Sequence, residues 1–234
     1  MGCARTSSRS RAPLRNFYRA LLQHFGPQRW WPAQTPFEVI VGAILTQSTA
    51  WNNVEKAITN LKNAGALTLR AMDALEEAEL AELVRPSGYY RQKAKKLKAF
   101  LRYLRVRHGG SLRRMFAVET GQLRRELLSI HGVGPETADS ILLYAGGHPV
   151  FVVDAYTRRI LQRHALIPPS ASYLDIQRLL GRQIPADRAV YNEFHALLVA
   201  AGKRHCLRAA PQCTGCPLDR FPHQITMRRN RRSG

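Results

Sequence analysis

Hydrophobic residues recur every three or four positions along most of the chain, a spacing that predicts helices with one buried face. Five stretches show this repeat: residues 14–25, 54–61, 155–166, 173–180 and 189–201. A short apolar run at residues 150–153 has the pattern of a strand, but the sequence offers it no obvious partner. The pattern therefore predicts an all-α protein.

Two further stretches predict helices in different surroundings. Residues 36–45 begin with proline, which is favoured in a first helical turn, and continue with mostly apolar residues, which predicts a buried helix. A second stretch predicts a long basic amphipathic helix, whose apolar face is formed by Ala94, Leu97, Leu101 and Leu104. The other face is expected to be wetter and carries Lys93, Lys95, Lys96 and Lys98.

The net charge points to a polyanionic partner. Of the 234 residues, 36 are Lys or Arg and 16 are Asp or Glu, which gives +20 at pH 7. Eight arginines lie near the two ends, and +12 remains without them, so the excess belongs to the body of the chain. Such a surface attracts nucleic acid. No apolar run approaches the length of a membrane span, so we expect no membrane partner. We also expect a cytoplasmic location (with the nucleoid in a bacterium) and a monomer.

A motif near residue 130 combines a helix end, two glycines and a proline. One helical pattern ends at Ile130, Gly132 and Gly134 permit a tight turn around Val133, and Pro135 suits the start of the next helix. This order predicts a helix-hairpin-helix. The glycines let backbone N–H groups approach a phosphate, and the positive end of the next helix adds to the attraction. The hairpin is a candidate DNA-backbone site, with an ordinary interhelical turn as the alternative.

Asp154 follows the apolar run and directly precedes a predicted helix. An aspartate in this place commonly caps the helix by accepting hydrogen bonds from its first amides. A carboxylate near a phosphate-binding hairpin also suits cleavage of an N-glycosidic bond, because the sugar develops oxocarbenium character and needs a nearby anion. Both roles can coexist.

These residues resemble the helix-hairpin-helix DNA glycosylases of base excision repair, which include endonuclease III. The resemblance covers about three quarters of the chain and rests on residues 45–49, 88–94, the hairpin, 152–154 and the cluster of Cys206, Cys213 and Cys216. In such enzymes the target nucleotide is rotated out of the duplex and a side chain fills the gap. By motif position Gln47 resembles that side chain, and Tyr89 resembles the wedge in the opposite loop. A buried helix amide is the alternative for Gln47, and a core aromatic is the alternative for Tyr89.

The resemblance also implies a division into two helical domains that flank a DNA-binding cleft. A six-helix barrel with the hairpin is expected at residues 36–147. A second helical domain, which includes the cysteine cluster, is expected from residues 13–35 and 148–222. A disordered basic arm at 1–12 and a basic tail at 223–234 complete the expected organisation.

The residue just after the hairpin distinguishes bifunctional from monofunctional members of the superfamily. Bifunctional endonuclease III carries a lysine there, whose amine forms a Schiff base with the sugar. This chain has Glu136 at that position, and a carboxylate cannot form an imine. The resemblance therefore implies a monofunctional glycosylase that uses water as nucleophile and Asp154 as catalytic residue.

Within the superfamily, the residues that carry the resemblance are most similar to the 3-methyladenine glycosylase branch. N-alkylation makes a purine cationic, so a pocket can bind it by stacking it against electron-rich rings. The candidate pocket residues are Trp30, Trp31, Trp51 and Glu136, and core packing is the alternative for the tryptophans.

Three cysteines near the C-terminal end have the spacing of metal ligands. Cys206, Cys213 and Cys216 resemble three of the four ligands that hold the [4Fe–4S] cluster of endonuclease III, but Pro222 stands where the fourth cysteine is expected. His223 or His205 could complete the set. An iron–sulfur cluster, zinc and an empty site all remain open.

Together these features predict a base excision repair DNA glycosylase that acts on damaged double-stranded DNA. The expected substrate is an alkylated purine such as 3-methyladenine. Two alternatives remain: an endonuclease III-type glycosylase and lyase for oxidised pyrimidines, and a non-catalytic DNA-binding protein that retains the hairpin.

Overall fold

The computed structural model describes residues 14–224, so the predicted arm at 1–12 and most of the predicted tail lie outside the described part. Every regular element within residues 14–224 is helical, which confirms the predicted fold class. The α-helices are α1 (Leu14–Phe25), α2 (Pro36–Leu45), α3 (Trp51–Asn63), α4 (Leu69–Ala74), α5 (Glu77–Leu83), α6 (Tyr90–His108), α7 (Leu112–Phe116), α8 (Thr120–Leu128), α9 (Pro135–Ser140), α10 (Ala155–Arg163), α11 (Tyr173–Gln183) and α12 (Arg188–Arg204). A 3₁₀ turn spans Arg85–Ser87, and a π-helical turn at Ile141–Ala145 continues α9. None of the described helices has the length and apolar character needed to cross a membrane.

Local sequence signals explain where several helices begin. Thr35 precedes α2 and accepts a hydrogen bond from the Glu38 amide, while Pro36 needs no partner for a missing N–H. Before α11, Ser172 and Asp175 form a reciprocal capping box. These caps satisfy amides that the helix cannot satisfy itself.

The described chain divides into two compact units, each with its own core. One unit is the continuous segment 31–150, and the other joins 14–30 to 151–224. The predicted limits at 36 and 147 lie a few residues inside the first unit, and the six-helix barrel itself stays a prediction.

Helix α2 lies in the core of the first unit, as its apolar sequence predicts. Nine of its ten residues are buried, and it packs against α3, α6 and α9. Burial of this kind stabilises the fold in proportion to the apolar area removed from water.

In the second unit, α12 packs against α1 and α10. Gly202 on α12 lies against the ring of Tyr156 on α10, where a Cβ atom would overlap the ring. The glycine therefore allows the two helices to approach closely.

The structure corrects two expectations from the sequence. Lys93 is predicted on the wetter face of α6, but this residue is 1% exposed. It lies four residues before Leu97, on the buried face, and its ammonium group donates hydrogen bonds to the carbonyls of Leu45 and Ser87. The helix expected to end at Ile130 ends at Leu128. In agreement with the predicted all-α fold, the run at residues 150–153 forms no strand, and Gln177 of α11 donates a hydrogen bond to the Phe151 carbonyl.

Candidate functional site

The predicted hairpin is present between α8 and α9. Gly132 has φ +79°, a conformation that other residues rarely adopt, and Val133 donates a backbone hydrogen bond to Ile130. Val133 is buried, whereas Gly132 and Gly134 are exposed. Gly134 is extended and directly precedes Pro135, the first residue of α9. The turn thus buries its apolar residue and leaves the glycine backbone on the surface.

Side chains from two other parts of the first unit stabilise this turn. Gln47 follows α2, and its Nε2 donates to the Gly132 carbonyl at 3.0 Å and to Thr137 Oγ1 at 2.9 Å. Lys96 of α6 donates to Gln47 Oε1, and its aliphatic stem lies where a Cβ atom on Gly132 would come within 2.5 Å. Gln47 is therefore a half-buried amide that binds the hairpin.

An ion pair joins the two helices of the hairpin. Arg124 of α8 binds both carboxylate oxygens of Asp139 in α9, at 2.7 and 3.1 Å. Asp139 is fully buried, so the two-point pairing compensates the loss of hydration and fixes the angle between the helices.

The loop before α6 presents an exposed aromatic ring. Tyr89 is 74% exposed and has φ 47° and ψ 31°, directly after Gly88 at φ 70°. A left-handed conformation costs a non-glycine residue free energy and persists only where its surroundings impose it. Tyr89 is therefore not a core aromatic.

Lys93 connects the Gln47 turn to the Tyr89 loop. Its ammonium group donates to the carbonyl of Leu45, the last residue of α2, at 2.8 Å and to that of Ser87 at 2.6 Å. Burial, with a smaller contribution from the charge of Lys96, lowers the pKa of Lys93 to about 8. One buried cation thus fixes the backbone before both predicted DNA-contacting side chains.

Three rings form an aromatic group in the first unit. The centroid of the Trp31 ring lies 5.3 Å from that of Trp51, edge to face, and 5.2 Å from that of Tyr144 in the π turn. Trp31 crosses α2 at Gly42, where a Cβ atom would lie 3.2 Å from the indole. All these rings pack on or in the core, and the two indoles retain partial exposure.

The other predicted pocket residues are Trp30, which directly precedes Trp31 in the chain, and Glu136. Trp30 belongs to the second unit, where Lys203 lies 5.9 Å from its ring centroid. Glu136 is exposed in the first turn of α9. The structure therefore brings two of the three predicted tryptophans together within one unit.

Asp154 caps α10 in the second unit. Its Oδ1 accepts a 2.7 Å hydrogen bond from the Thr157 amide, and its Oδ2 lies 3.7 Å from Nε2 of His195 on α12. Burial lowers the pKa of His195, although the Asp154 charge opposes this, so the imidazole is neutral at pH 7. The carboxylate is thus held on one side by the helix and faced on the other by an imidazole.

His195 is a neighbour of Asp154 with no role predicted from sequence. It lies on another helix, in a run whose apolar spacing indicates core packing. No local motif joins it to Asp154, so no sequence signal identifies it.

The three cysteines line one pocket of about 30 Å³ in the second unit, together with Asp219, His205 and His223. The ligand atoms of Cys213, Asp219 and His223 all lie within 4.8 Å of one another. Within residues 14–224 there is no fourth cysteine, so these residues do not supply the four-thiolate set of the endonuclease III cluster.

Comparison with known proteins places the chain in a family. The model of the HhH-GPD superfamily base excision DNA repair proteins matches residues 41–186, which is more than half of the chain. The chain belongs to this superfamily. It is a DNA repair glycosylase of the endonuclease III-like kind, and the predicted family and enzyme class are confirmed.

Relatives of this HhH-GPD glycosylase match it over most of its length. It is 46% identical over 206 residues to the "Putative DNA repair glycosylase MJ1434" of Methanocaldococcus jannaschii, covering 87% of this chain and 93% of that one. It is 26% identical to endonuclease III of Escherichia coli, over 79% of this chain and 82% of that protein.

Solved structures of the superfamily share its fold. The H. pylori 3-methyladenine DNA glycosylase MagIII, bound to 1,N6-ethenoadenine, has a TM-score of 0.70 and 30% identity, with 83% of this chain and 96% of that chain covered. A non-covalent endonuclease III–DNA complex has a TM-score of 0.76 and 25% identity, with 89% and 92% covered.

Proposed function

We propose that this HhH-GPD glycosylase is monofunctional and releases an alkylated purine, such as 3-methyladenine, from double-stranded DNA. The observation that carries the proposal is Glu136, an exposed carboxylate in the first turn of α9 at the position where endonuclease III has its lysine. A carboxylate cannot form a Schiff base with the sugar, which leaves water as the nucleophile.

The lysines around the hairpin support a monofunctional enzyme. Lys93 has the lowered pKa that suits a nucleophilic amine, but it is buried and donates to two carbonyls. Lys96 donates to Gln47 and lies against Gly132. Neither amine is presented to a substrate as the lysine of a lyase must be.

The proposed DNA contacts are Gly132, Val133 and Gly134 of the hairpin with Gln47 and Tyr89. The exposed glycine backbone supports a phosphate contact, because no side chain blocks the approach of an anion. The exposed ring of Tyr89 supports a wedge that enters the base stack while the nucleotide is flipped. For Gln47 to fill the gap, its bonds to Gly132 and Thr137 must open.

The proposed base pocket uses Trp31 and Trp51, with Trp30 and Glu136 as further members. The partly exposed indoles of Trp31 and Trp51 offer π-faces that attract a flat cation. The structural likeness to the H. pylori 3-methyladenine glycosylase supports a purine substrate. A cationic base is a good leaving group, so little acid catalysis is needed.

In the proposed reaction Asp154 acts on the sugar. The N-glycosidic bond breaks, and its electron pair neutralises the departing cationic base. The remaining oxocarbenium ion is stabilised by the Asp154 carboxylate until water adds to C1′ and releases a proton. The capping amide holds one oxygen of Asp154, so the group needs no reorganisation as the positive charge develops.

Asp154→Asn tests the catalytic assignment. The amide retains the shape of the side chain but loses its charge, so we expect base release to fall by at least 10³-fold, about 4 kcal/mol, with DNA affinity unchanged within threefold. Asp175→Asn, at a cap on α11, is the matched control and should keep full activity. Full activity of Asp154→Asn would refute the assignment.

Two further measurements test the reaction class and the substrate. Borohydride should trap no covalent adduct with DNA, and a robust adduct would show a lyase. Mass spectrometry of bases freed from alkylated, oxidised and deaminated DNA should detect methylated purines. Release of oxidised pyrimidines alone would identify an endonuclease III-type enzyme, and no release from any DNA would favour a non-catalytic binding protein.

A further inference from the structure

The loop after α12 places three different metal-binding groups close together. The Cys213 sulfur, an Asp219 carboxylate oxygen and a His223 ring nitrogen lie within 4.8 Å of one another. Zinc binds sulfur at about 2.3 Å and nitrogen or oxygen at about 2.0–2.2 Å, so two ligands of one ion lie at most about 4.5 Å apart. Small side-chain movements therefore suffice for the three groups to share one ion.

The ring of His223 has the orientation of a ligand. Its Nδ1 lies 2.8 Å from the Phe221 carbonyl, which can only accept, so Nδ1 carries the proton. In the neutral ring, the form that binds a metal, the lone pair is then on Nε2, which lies 3.5 Å from Asp219 Oδ1. A hydrogen bond from the second ring nitrogen to a carbonyl is the usual support of a metal-binding histidine.

Ligand sets built on His205 or on an iron–sulfur cluster fit the pocket less well. His205 lines the pocket, but the metal-binding group contains His223. The Cys206 sulfur already accepts a hydrogen bond from Arg163 at 3.1 Å. A mixed sulfur, nitrogen and oxygen set suits zinc, whereas [4Fe–4S] clusters are usually held by four thiolates.

We propose that Cys213, Asp219 and His223 bind a single zinc ion that stabilises the C-terminal loop. Cys216 lines the same pocket and closes a C-x₂-C turn at Gly215, so it is placed to take the fourth position. The role is structural, because the loop packs through Phe221 on Phe17 of α1, with ring centroids 4.8 Å apart. The proposal does not depend on the substrate or on Asp154.

Metal analysis of the full-length protein tests the site. Protein purified anaerobically, without chelator, should contain about one zinc per chain by plasma mass spectrometry. His223→Ala and Cys213→Ser should lose at least 80% of the zinc, whereas the matched control His205→Ala should keep it. Far-ultraviolet circular dichroism verifies that each variant is folded.

Asp219→Asn tests the site without removing a partly buried side chain, since Asp219 is exposed. This variant should fold normally and lose zinc to a chelator at least tenfold faster than wild type. Cobalt-loaded wild type should show thiolate-to-cobalt charge-transfer absorption, which Cys213→Ser should weaken. Stoichiometric iron and sulfide with absorption near 400 nm would overturn the proposal. Zinc-free wild type or full zinc retention by His223→Ala would also overturn it.

Discussion

At the scale of single residues, Asp154 depends on its neighbours. The capping amide fixes one carboxylate oxygen, while the neutral His195 ring lies 3.7 Å from the other. His195→Gln keeps a polar side chain but removes the imidazole. We expect the single-turnover rate of base release to fall about tenfold, or about 1.4 kcal/mol, because the carboxylate loses part of its orientation.

The outcome for His195→Gln separates positioning from folding. DNA affinity should stay within twofold of wild type, and the melting temperature identifies any loss of stability. His24→Gln, an exposed histidine of the same unit, is the control and should leave the rate unchanged. A wild-type rate in His195→Gln would show that the imidazole does not position Asp154.

Lys93 makes the folding stability depend on pH, and its burial determines the sign of this dependence. Its pKa is about 8 in the folded protein and near 10.5 when the chain unfolds. Between these values the unfolded state binds more protons, so this group makes stability rise with pH. Relative to Lys93→Met, wild type should therefore gain stability from pH 8 to 10.5.

Urea unfolding at several pH values measures this difference. Lys95→Met, at an exposed position on the same helix, should follow the wild-type profile. Parallel profiles for wild type and Lys93→Met would contradict a lowered pKa.

At the scale of elements, the two hairpin glycines separate stability from DNA binding. Gly132→Ala must adopt φ +79° and places a Cβ atom 2.5 Å from the Lys96 stem, so we expect a loss of about 1–3 kcal/mol. At Gly134, φ is −91° and no atom lies within 4 Å of an added Cβ, so Gly134→Ala should keep its stability within about 0.5 kcal/mol.

Both hairpin variants should bind DNA more weakly. At Gly132 the added methyl group displaces the turn against the Lys96 stem, and at Gly134 it stands in open space where backbone and phosphate are proposed to meet. Thermal unfolding and fluorescence anisotropy with duplex DNA measure the two effects separately. Equal stability of the two variants would contradict the described turn, and wild-type DNA affinity in Gly134→Ala would contradict the phosphate contact.

Apolar spacing predicts an element well when the element is long. The helical repeat identifies segments of α1, α3, α6 and α10 because each has at least two turns of pattern. The shorter helices α4, α5 and α7 have five to seven residues, too few for a repeat to be distinguished. Lys93 lies four residues before Leu97 and so falls on the buried face by spacing; the prediction of the wetter side agrees with its charge but not with its position in the helix.

The residues of the candidate site also divide into those that a local sequence pattern reveals and those that it does not. The hairpin and the Asp154 cap are local patterns, so the glycines, the proline and the aspartate could be found from sequence. The contacts of Gln47 with Gly132 and of His195 with Asp154 join distant segments, and only the folded chain shows them. Asp219 lies in the cysteine loop, but its spacing matches no simple ligand motif.

At the scale of the whole molecule, the excess of positive charge must affect mainly the affinity for DNA. The net charge is +20, and +12 remains without the eight arginines near the ends. Each phosphate neutralised by Lys or Arg releases counterions, so affinity falls steeply with salt. Cleavage of the glycosidic bond within the bound complex releases no further counterions.

Salt should therefore separate binding from catalysis. A protein with six to ten phosphate contacts loses about 10³- to 10⁵-fold in affinity between 50 and 200 mM salt, and we expect this glycosylase to lie in that range. The single-turnover rate on saturating alkylated DNA should change less than threefold over the same interval, because the field at Asp154 is set by its capping amide and buried surroundings.

Substituting serine for Arg228, Arg229, Arg231 and Arg232 should reduce the salt dependence of DNA affinity without abolishing it. Complete loss of the salt dependence in that variant would show that the lysines and arginines outside the C-terminal tail contribute no phosphate contacts.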